Sequence, residues 1–443
     1  MTKLPHGWIE VRLDEVADVR LGRQRSPKNH SGPRMRPYLR AANVTWNGLD
    51  LRDVKEMNFT EEESRVYELQ SGDVVVAEAS GSASEVGKPA LWHGEVPSCC
   101  LQNTLVRVRT RGPLPEYLRY FLLAEAVAGR IGHASPGVGI HHIGASRLSA
   151  WPTPIPPLAE QRRIVAAIEE QLSRLDAAEA QLRVARARLD SLRARIVDGS
   201  VREEWDRRPF SEVIERLRNG VFVSRPAAHP PGIPIFRISA VRALALNADD
   251  IRYADVEPGD VADYFVKEGD LLFTRYSGNA SFVGACAAVP RSITPTLHPD
   301  KLIRVVLDRS RCVPEFIEIA FASRLVRCEV EARLKTTAGQ VGIAGGQLRT
   351  IPVPLPSLDE QRRVVAQVWA VLSGAEALVR TLSAASVRAA GLRRAILARA
   401  FRGELVPQDP VNKPASALLE RIAAERAASP PEPPRRKRVQ SGR

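Results

Sequence analysis

Apolar residues recur at alternating spacings of four and three in two long stretches of the chain, from Ile164 to Ile196 and from Val364 to Ile396. Such a pattern, kept over more than four heptads, is typical of a left-handed coiled coil. It predicts two helices of about 40 residues, each about 60 Å long. The alternative is two amphipathic helices that each dock on their own domain. The seam positions expected to pack, or to bind a partner, are Ile164, Ile168, Leu175, Leu182, Leu189, Ile196, Val364, Val368, Leu378, Leu382, Leu392 and Ile396.

The two helical stretches open with the same sequence, because "PPLAEQRRIVAAIEEQL" at 156–172 is answered by "PSLDEQRRVVAQVWAVL" at 356–372. The segment "SGDVVVAEASGSASEVG" at 71–87 likewise resembles "EGDLLFTRYSGNASFVG" at 268–284. Internal similarity at a fixed offset indicates a duplicated structural unit. The predicted parts are globular units at 1–150 and 206–350, helical regions at 151–205 and 351–405, and a tail at 406–443 that is helical at first and then disordered.

Each globular unit combines short strands with helices. Alternating or continuous apolar runs such as "NTLVRVR" and "LIRVV" are typical of strands. A helical run then follows a proline in both copies, "PEYLRYFLLAEAVAG" and "PEFIEIAFASRLV". The fold class expected is therefore a mixed α/β (α+β) unit of roughly 150 residues, present twice and joined by the two long helices.

The charge balance points to a polyanion as partner. The chain carries 64 Lys plus Arg against 51 Asp plus Glu, a net charge of +13, which favours nucleic acid. The surplus positive charge lies in one acid-free segment of each copy, whereas the helices contain acids and bases in similar numbers. The alternatives to nucleic-acid binding are a solvated loop face and a general bias of the sequence towards arginine. The basic residues in these segments are Arg20, Arg23, Arg25, Lys28, Arg34, Arg36 and Arg40 in the first copy, and Arg216, Arg218, Arg225 and Arg237 in the second.

No motif for chemistry stands out. The five cysteines lack metal-ligand spacing and are expected to be small buried side chains. "GSASEVGKP" lacks the spacing of a phosphate loop, and "SPGVGIHHIG", with Gly137, Gly139, His141 and His142, fits neither a dinucleotide fingerprint nor a metal pair. No apolar run is long enough for a membrane span or a signal core, so a cytoplasmic protein without membrane contact is expected.

The doubled "EQRR" helix start, the two basic α/β units and the segment "AFRGELVPQDPVNKPASALLERIAAERA" resemble the specificity subunit of type I restriction-modification systems over nearly the whole chain. This resemblance implies that the two helices pair as an antiparallel coiled coil and hold two target-recognition domains in pseudo-two-fold symmetry on double-stranded DNA. Each domain would read one half of a bipartite, asymmetric site.

The resemblance also implies partners that carry out the reactions. Two modification (methyltransferase) subunits would bring S-adenosylmethionine and methylate adenine, and restriction (motor and nuclease) subunits would use ATP and Mg²⁺. This chain itself would bind no cofactor or metal and would not be an enzyme. Two other classes remain as alternatives: a coiled-coil scaffold without sequence-specific DNA recognition, and a self-sufficient methyltransferase or nuclease.

The loop after the central strand is the predicted reader of bases. Ser80-Gly81 and Ser277-Gly278 are common to both copies and are assigned to turn geometry or phosphate approach. The differing positions are expected to set two different half-sites, since Glu suits cytosine, Arg guanine and Asn adenine. The predicted DNA-binding residues of this loop are Glu78, Ser80, Ser82, Arg275, Tyr276 and Asn279. Arg40 and Arg237 match in both copies and are assigned to phosphate contact or to the fold.

Overall fold

The computed structural model describes residues 4–134, 141–291, 293–337 and 340–428. The chain forms two compact units. Unit 1 comprises Met1–Gln181 with Ala385–Arg443, and unit 2 comprises Leu182–Ala384. The predictions for Gly137 and Gly139, and for disorder after residue 428, lie outside the described residues. Within the described ranges, no helix is both long enough and apolar enough to cross a membrane.

The first half of the chain supplies most of unit 1. Its elements are β1 (Ile9–Arg12), α1 (Leu13–Val16), β2 (Ala17–Leu21), β3 (Met35–Leu39), β4 (Val44–Thr45), β5 (Gly48–Leu49), β6 (Lys55–Asn58), α2 (Glu61–Tyr67), β7 (Val74–Ala77), β8 (Ala79–Ser80), β9 (Pro89–Leu91), β10 (Cys100–Leu101), β11 (Leu105–Thr110), α3 (Pro115–Val127), α4 (Arg130–His133), β12 (His141–His142), α5 (Ala145–Ser149), β13 (Pro152–Ile155) and the long helix α6 (Leu158–Ser200).

The second half repeats this order with small differences. Its elements are β14 (Arg207–Pro209), β15 (Ile214–Asn219), β16 (Ile233–Phe236), β17 (Val241–Arg242), β18 (Ala245–Leu246), β19 (Ile251–Ala254), β20 (Leu271–Thr274), β21 (Tyr276–Ser277), β22 (Cys286–Ala288), β23 (Leu302–Leu307), α7 (Pro314–Ala322), α8 (Arg324–Glu331), β24 (Lys335–Thr337), β25 (Gln340–Gly342), α9 (Gly345–Arg349), β26 (Pro352–Pro354), the long helix α10 (Leu358–Phe401) and α11 (Ala415–Ala428).

A four-stranded antiparallel sheet forms the centre of each unit. The strand order is β2-β11-β7-β9 in unit 1 and β15-β23-β20-β22 in unit 2. Val74 and Leu271 open the equivalent strands β7 and β20, and both strands are buried throughout, as their continuous apolar sequences predict. They lie 197 positions apart (271 minus 74), so the repeat found in the sequence is a repeat of strands.

The first helix after the sheet closes the core of each unit. Both α3 and α7 begin at a proline, which costs no hydrogen bond at a helix start. Tyr117 and Phe316 are fully buried at the same place in these helices, in the cores that also contain the apolar residues of the central sheets. The mixed helix and strand architecture is confirmed in both units.

The long helices pack together within each unit. In unit 1, Ile168 near the start of α6 shares a core with Ile396 near the end of α10, and Arg393 bonds Asp176. In unit 2, Val197 near the end of α6 shares a core with Val368 near the start of α10. The alternative, in which each long helix docks alone on its own domain, is therefore not what the structure contains.

The heptad pattern is correct at ten of the twelve predicted seam positions. Ile164, Ile168, Leu175, Leu189, Val364, Val368 and Ile396 are buried, and Leu182, Ile196 and Leu382 are partly buried. Leu378 and Leu392, however, are 48% and 53% exposed, so their place in the seam was wrong. The inward positions lie one residue later, at Val379 and Arg393, because the buried face follows spacings of four and then three from Val368. Arg393 is tolerated there since its apolar stem packs while its guanidinium bonds carboxylates.

The Gln of each "EQRR" run joins the long helix to the loop before α3 or α7. Gln161 accepts a hydrogen bond from the Leu114 N–H at 2.9 Å and donates to the Pro156 carbonyl at 3.0 Å. Gln361 likewise accepts from the Val313 N–H at 2.8 Å and donates to the Pro356 carbonyl at 2.9 Å. Both glutamines are fully buried, so the repeated helix start is a repeated structural clamp.

The cysteines mostly follow expectation. Cys99, Cys100, Cys286 and Cys312 are buried, and burial raises the pKa of the Cys99 and Cys100 thiols to about 12. Cys328 is exposed instead, because it lies on the outer face of α8 between the inward-facing Val326 and Val330.

Candidate nucleic-acid interface

The basic segment of unit 1 contains arginines with two different roles. Arg23 points inward, where it bonds Glu63 at 2.7 Å and the Asn58 carbonyl at 2.6 Å and lies over the Phe59 ring. Arg25 and Lys28 are exposed and have no ion-pair partner among the residues that the structure describes. Of these three cations, only the last two present their charge fully to solvent.

The remaining arginines of this segment are paired with acids that lie elsewhere in the sequence. Arg34 is 3.5 Å from Glu61, Arg36 is 3.1 Å from Glu68, and Arg40 is 2.5 Å from Asp53. Each of these three arginines keeps part of its surface exposed. A segment without acids of its own is thus partly neutralised by its neighbours in the fold.

Unit 2 repeats one of these pairs at the matching position. Arg237 is 3.1 Å from Asp250, and both residues lie 197 positions after Arg40 and Asp53 (237 minus 40, 250 minus 53). The pairing supports a structural role for both arginines. Arg225 is exposed and has no ion-pair partner in the described part of the chain.

Arginines also line a cleft of about 970 Å³ on the outer face of the central sheet of unit 1. Arg107 and Arg20 face each other there across β11 and β2, and both lie close to Asp18, at 2.5 and 3.7 Å. Burial opposes the charge of Asp18, but attraction by Arg107 prevails and lowers the pKa of this carboxyl. Among the described residues that line the cleft, Asp18 is the one acid beside five arginines, so the surface is positively charged.

The predicted reading loops have the same turn in both units. The Ser80 hydroxyl accepts a hydrogen bond from the Ser82 N–H at 3.3 Å, and the Ser277 hydroxyl accepts one from the Asn279 N–H at 3.1 Å. Ser82 and Asn279 are both exposed at the tip. The shared serines thus shape the loop, and one differing pair, Ser82 and Asn279, occupies its exposed tip.

The first residue of each loop is less accessible to solvent than the sequence suggested. Glu78 is buried, and its carboxylate lies 3.1 Å from Nδ1 of His142. Arg275 is partly buried, donates to the Asp300 carbonyl at 3.3 Å and lies over the ring of Tyr276. The structure therefore brings Glu78 and Arg275 to the loop but commits both to internal contacts.

Sequence reasoning missed the strand that pairs with each loop. In unit 1, β12 brings His141 and His142 against Ser80 and Ala79. In unit 2, β25 pairs with β21, and β24 adds the exposed Lys335 at the far edge. The equal distance of "GIHHIG" and "GQVGIAG" from the following "EQRR" runs was the available signal. In the described part of the chain, no group of three His, Cys, Asp or Glu could hold a metal ion.

A protein family and individual relatives share sequence with this chain. The family model described as "Type I restriction modification DNA specificity domain" matches residues 5–183. The EcoKI specificity subunit of Escherichia coli K12 is 32% identical over 457 aligned positions, covering 96% of this chain and 97% of that protein. This chain belongs to the type I restriction enzyme specificity subunits. The family is the non-catalytic, DNA-specificity component of these systems.

Further similarity spans the same length of this specificity subunit. The StySPI specificity subunit of Salmonella potsdam is 26% identical and covers 96% of the chain. A chain from a solved structure on complex assembly and conformational transition of the type I R-M system has a TM-score of 0.66 and 20% identity. It covers 91% of this chain and 99% of its own length, which establishes a shared fold.

Proposed function

We propose that each unit of this specificity subunit reads one half of a bipartite, asymmetric DNA site. The observation that carries the proposal is the pair of loops with one backbone turn and a different exposed side chain at the tip, Ser82 in unit 1 and Asn279 in unit 2. Family membership assigns DNA specificity to the chain, and the duplication supplies two places to exercise it.

The target-recognition domains in this proposal are residues 1–150 and 206–350. The exposed cations Arg25, Lys28 and Arg225 contact phosphates, since phosphate contacts position a reader while base contacts specify. The residues on the two loops supply the base contacts.

The long helices hold the two readers apart as an antiparallel coiled coil with pseudo-two-fold symmetry. In support, each unit contains the start of one long helix beside the end of the other. Two modification subunits dock on these helices and bring S-adenosylmethionine, and restriction subunits bring ATP and Mg²⁺. The exposed Leu378 and Leu392 offer these partners apolar surface.

A first experiment measures binding of the purified chain to mixed-sequence duplex DNA at increasing salt. A reader that neutralises several phosphates loses affinity with a slope of about −0.9 in log K against log salt for each contact. A scaffold that does not recognise DNA would show neither binding nor this slope. Substituting Arg25 by Ala should make the slope shallower by the share of about one phosphate contact. Val411→Ala, at an exposed apolar position, should leave the slope unchanged.

A second experiment replaces "AEASGS" at 77–82 by "TRYSGN", the sequence at 274–279. The chain is co-expressed with its modification subunits, and methylated adenines are mapped across the genome. We expect one half of the methylated sequence to change and the other half to persist. An unchanged recognition sequence, in a variant that still directs methylation, would contradict the loop assignment.

A further inference from the structure

One exposed aromatic side chain stands in the basic segment of unit 2. Phe222 is 75% exposed, although its neighbours Val221 and Val223 pack against a cluster that contains Leu297. An extended chain turns successive side chains to opposite faces, so burying the two valines directs the phenylalanine outward. The fold therefore holds a large apolar side chain in solvent, beside the exposed Arg225.

The backbone before Phe222 is fixed by hydrogen bonds rather than left loose. The N–H of Gly220 donates to the Leu302 carbonyl at 3.1 Å, and that of Val221 donates to the His298 carbonyl at 3.0 Å. The Val221 carbonyl accepts from the Asp300 N–H at 2.9 Å. A Cβ at Gly220 would lie 2.1 Å from the Pro299 carbonyl oxygen, so only glycine allows this close approach.

Unit 1 has the same anchor with a different side chain after it. Gly22 donates to the Leu105 carbonyl at 3.0 Å, Arg23 donates to the Leu101 carbonyl at 2.8 Å, and the Asn103 N–H donates to the Arg23 carbonyl at 3.0 Å. A Cβ at Gly22 would lie 2.2 Å from the Gln102 carbonyl oxygen. Leu105 and Asn103 lie 197 positions before Leu302 and Asp300, and the anchored Gly22 lies 198 positions before Gly220.

Gln24 is consequently the structural counterpart of Phe222, because each is the second residue after the anchored glycine. Gln24 is also exposed. The two units thus offer an amide and an aromatic ring from one backbone position, next to cations that are exposed to solvent. An amide can hydrogen-bond the edge of adenine, whereas a phenylalanine contacts a thymine methyl group or stacks on a base.

We infer that Gln24 and Phe222 are specificity-determining residues, Gln24 through hydrogen bonds to a base in one half-site and Phe222 through apolar contact with a base in the other. This inference rests on the proposed function, because it requires that each unit reads one half-site. It adds a second reading position to each unit, outside the loops at 78–82 and 275–279.

The test uses the full chain with its modification subunits and a duplex that carries the recognition sequence found by methylation mapping. Phe222→Ala should weaken binding of this duplex about tenfold, as expected for loss of one base contact, without changing the salt slope. Arg25→Ala, which removes an exposed cation instead of an exposed ring, should make the salt slope shallower. Val411→Ala should change neither property.

The reciprocal substitutions give the sharper result. Phe222→Gln should relax or change one base of the half-site read by unit 2, and Gln24→Phe should do so in the half-site read by unit 1. Both side chains are exposed, so each variant should keep the wild-type thermal unfolding temperature.

Three outcomes would overturn the inference. Unchanged affinity and an unchanged methylated sequence in Phe222→Ala would show that the ring does not contact DNA. If Phe222→Ala binds DNA normally but no longer binds the modification subunits, Phe222 belongs to a protein interface. If the wild-type chain shows no salt-dependent DNA binding, the proposed function itself is rejected. The first two outcomes reject only the role of Phe222, because in them the wild-type chain still binds DNA.

Discussion

Asp73 in unit 1 and Asp270 in unit 2 occupy the same position before the central strand, but they bind different arginines. Both carboxylates accept a 2.7 Å hydrogen bond from the backbone N–H three residues earlier. Asp73 then pairs with Arg109, whereas Asp270 pairs with Arg304, the counterpart of Arg107. The comparison shows that the duplicated fold keeps a buried carboxylate while changing which cation compensates it.

The largest difference in stability between the units should come from removing this carboxylate. Asp270→Ala leaves Arg304 buried without its partner, since the two side chains are only 5% and 8% exposed. Loss of one member of a buried pair costs about 3–5 kcal/mol. Asp73→Ala should cost less, because Arg109 is 28% exposed and can be hydrated. Urea unfolding of both variants measures the difference, and equal losses would contradict this account.

A second difference should appear as a pH dependence that unit 2 owes to Glu318 on α7. Burial raises the pKa of Glu318 from 4.5 to about 8, whereas its counterpart on α3, Arg119, is a cation that lies over Tyr120. Between these pKa values the folded chain holds a proton that the unfolded chain releases. The contribution of Glu318 to the free energy of unfolding is therefore fully present below pH 4.5. It is lost as pH rises towards 8, by about 1.4 kcal/mol per pH unit.

Glu318→Gln tests this directly, because the amide stays neutral at every pH. As pH rises from 5 to 8, wild type should lose more stability, or gain less, than the variant does. The difference between the two measures Glu318 apart from His298, whose pKa burial lowers to about 4 and whose contribution rises over part of this range. Hydrogen exchange resolved along the chain would place the change at α7. The same pH dependence in wild type and in Glu318→Gln would contradict the burial of an uncharged Glu318.

Removing the glutamine clamp should instead destabilise the two units by similar amounts. Gln161→Ala and Gln361→Ala each leave a buried backbone N–H, of Leu114 or Val313, without its acceptor. An unsatisfied buried donor costs about 1–3 kcal/mol. We expect similar losses in both variants by denaturant unfolding, and Gln→Glu should not rescue them. A loss in only one unit would mean that the clamp has been replaced in the other.

These cases separate what the sequence revealed from what it concealed. The 197- and 200-residue offsets predicted the duplication, the central strands and the long helices, because apolar pattern and repeat are local properties. The partners of the arginines were not predictable in this way. Glu63 and Asp53 reach Arg23 and Arg40 only through the fold, since they lie 40 and 13 positions away. Gln24 and Phe222 escaped notice because their equivalence depends on a shared backbone anchor rather than on a shared motif.

Two sets of leucines on the long helices should differ, and the exposed set should give the smallest change in stability. Leu189→Ala removes a buried side chain and should cost about 2–5 kcal/mol. Leu392→Ala and Leu378→Ala truncate half-exposed side chains and should change stability by less than about 0.5 kcal/mol. If the two exposed leucines serve the modification subunits, the same variants should weaken co-purification with those subunits while the isolated chain unfolds as wild type does. A large loss of stability in Leu392→Ala would instead return this position to the seam and shift the buried face of α10 by one residue.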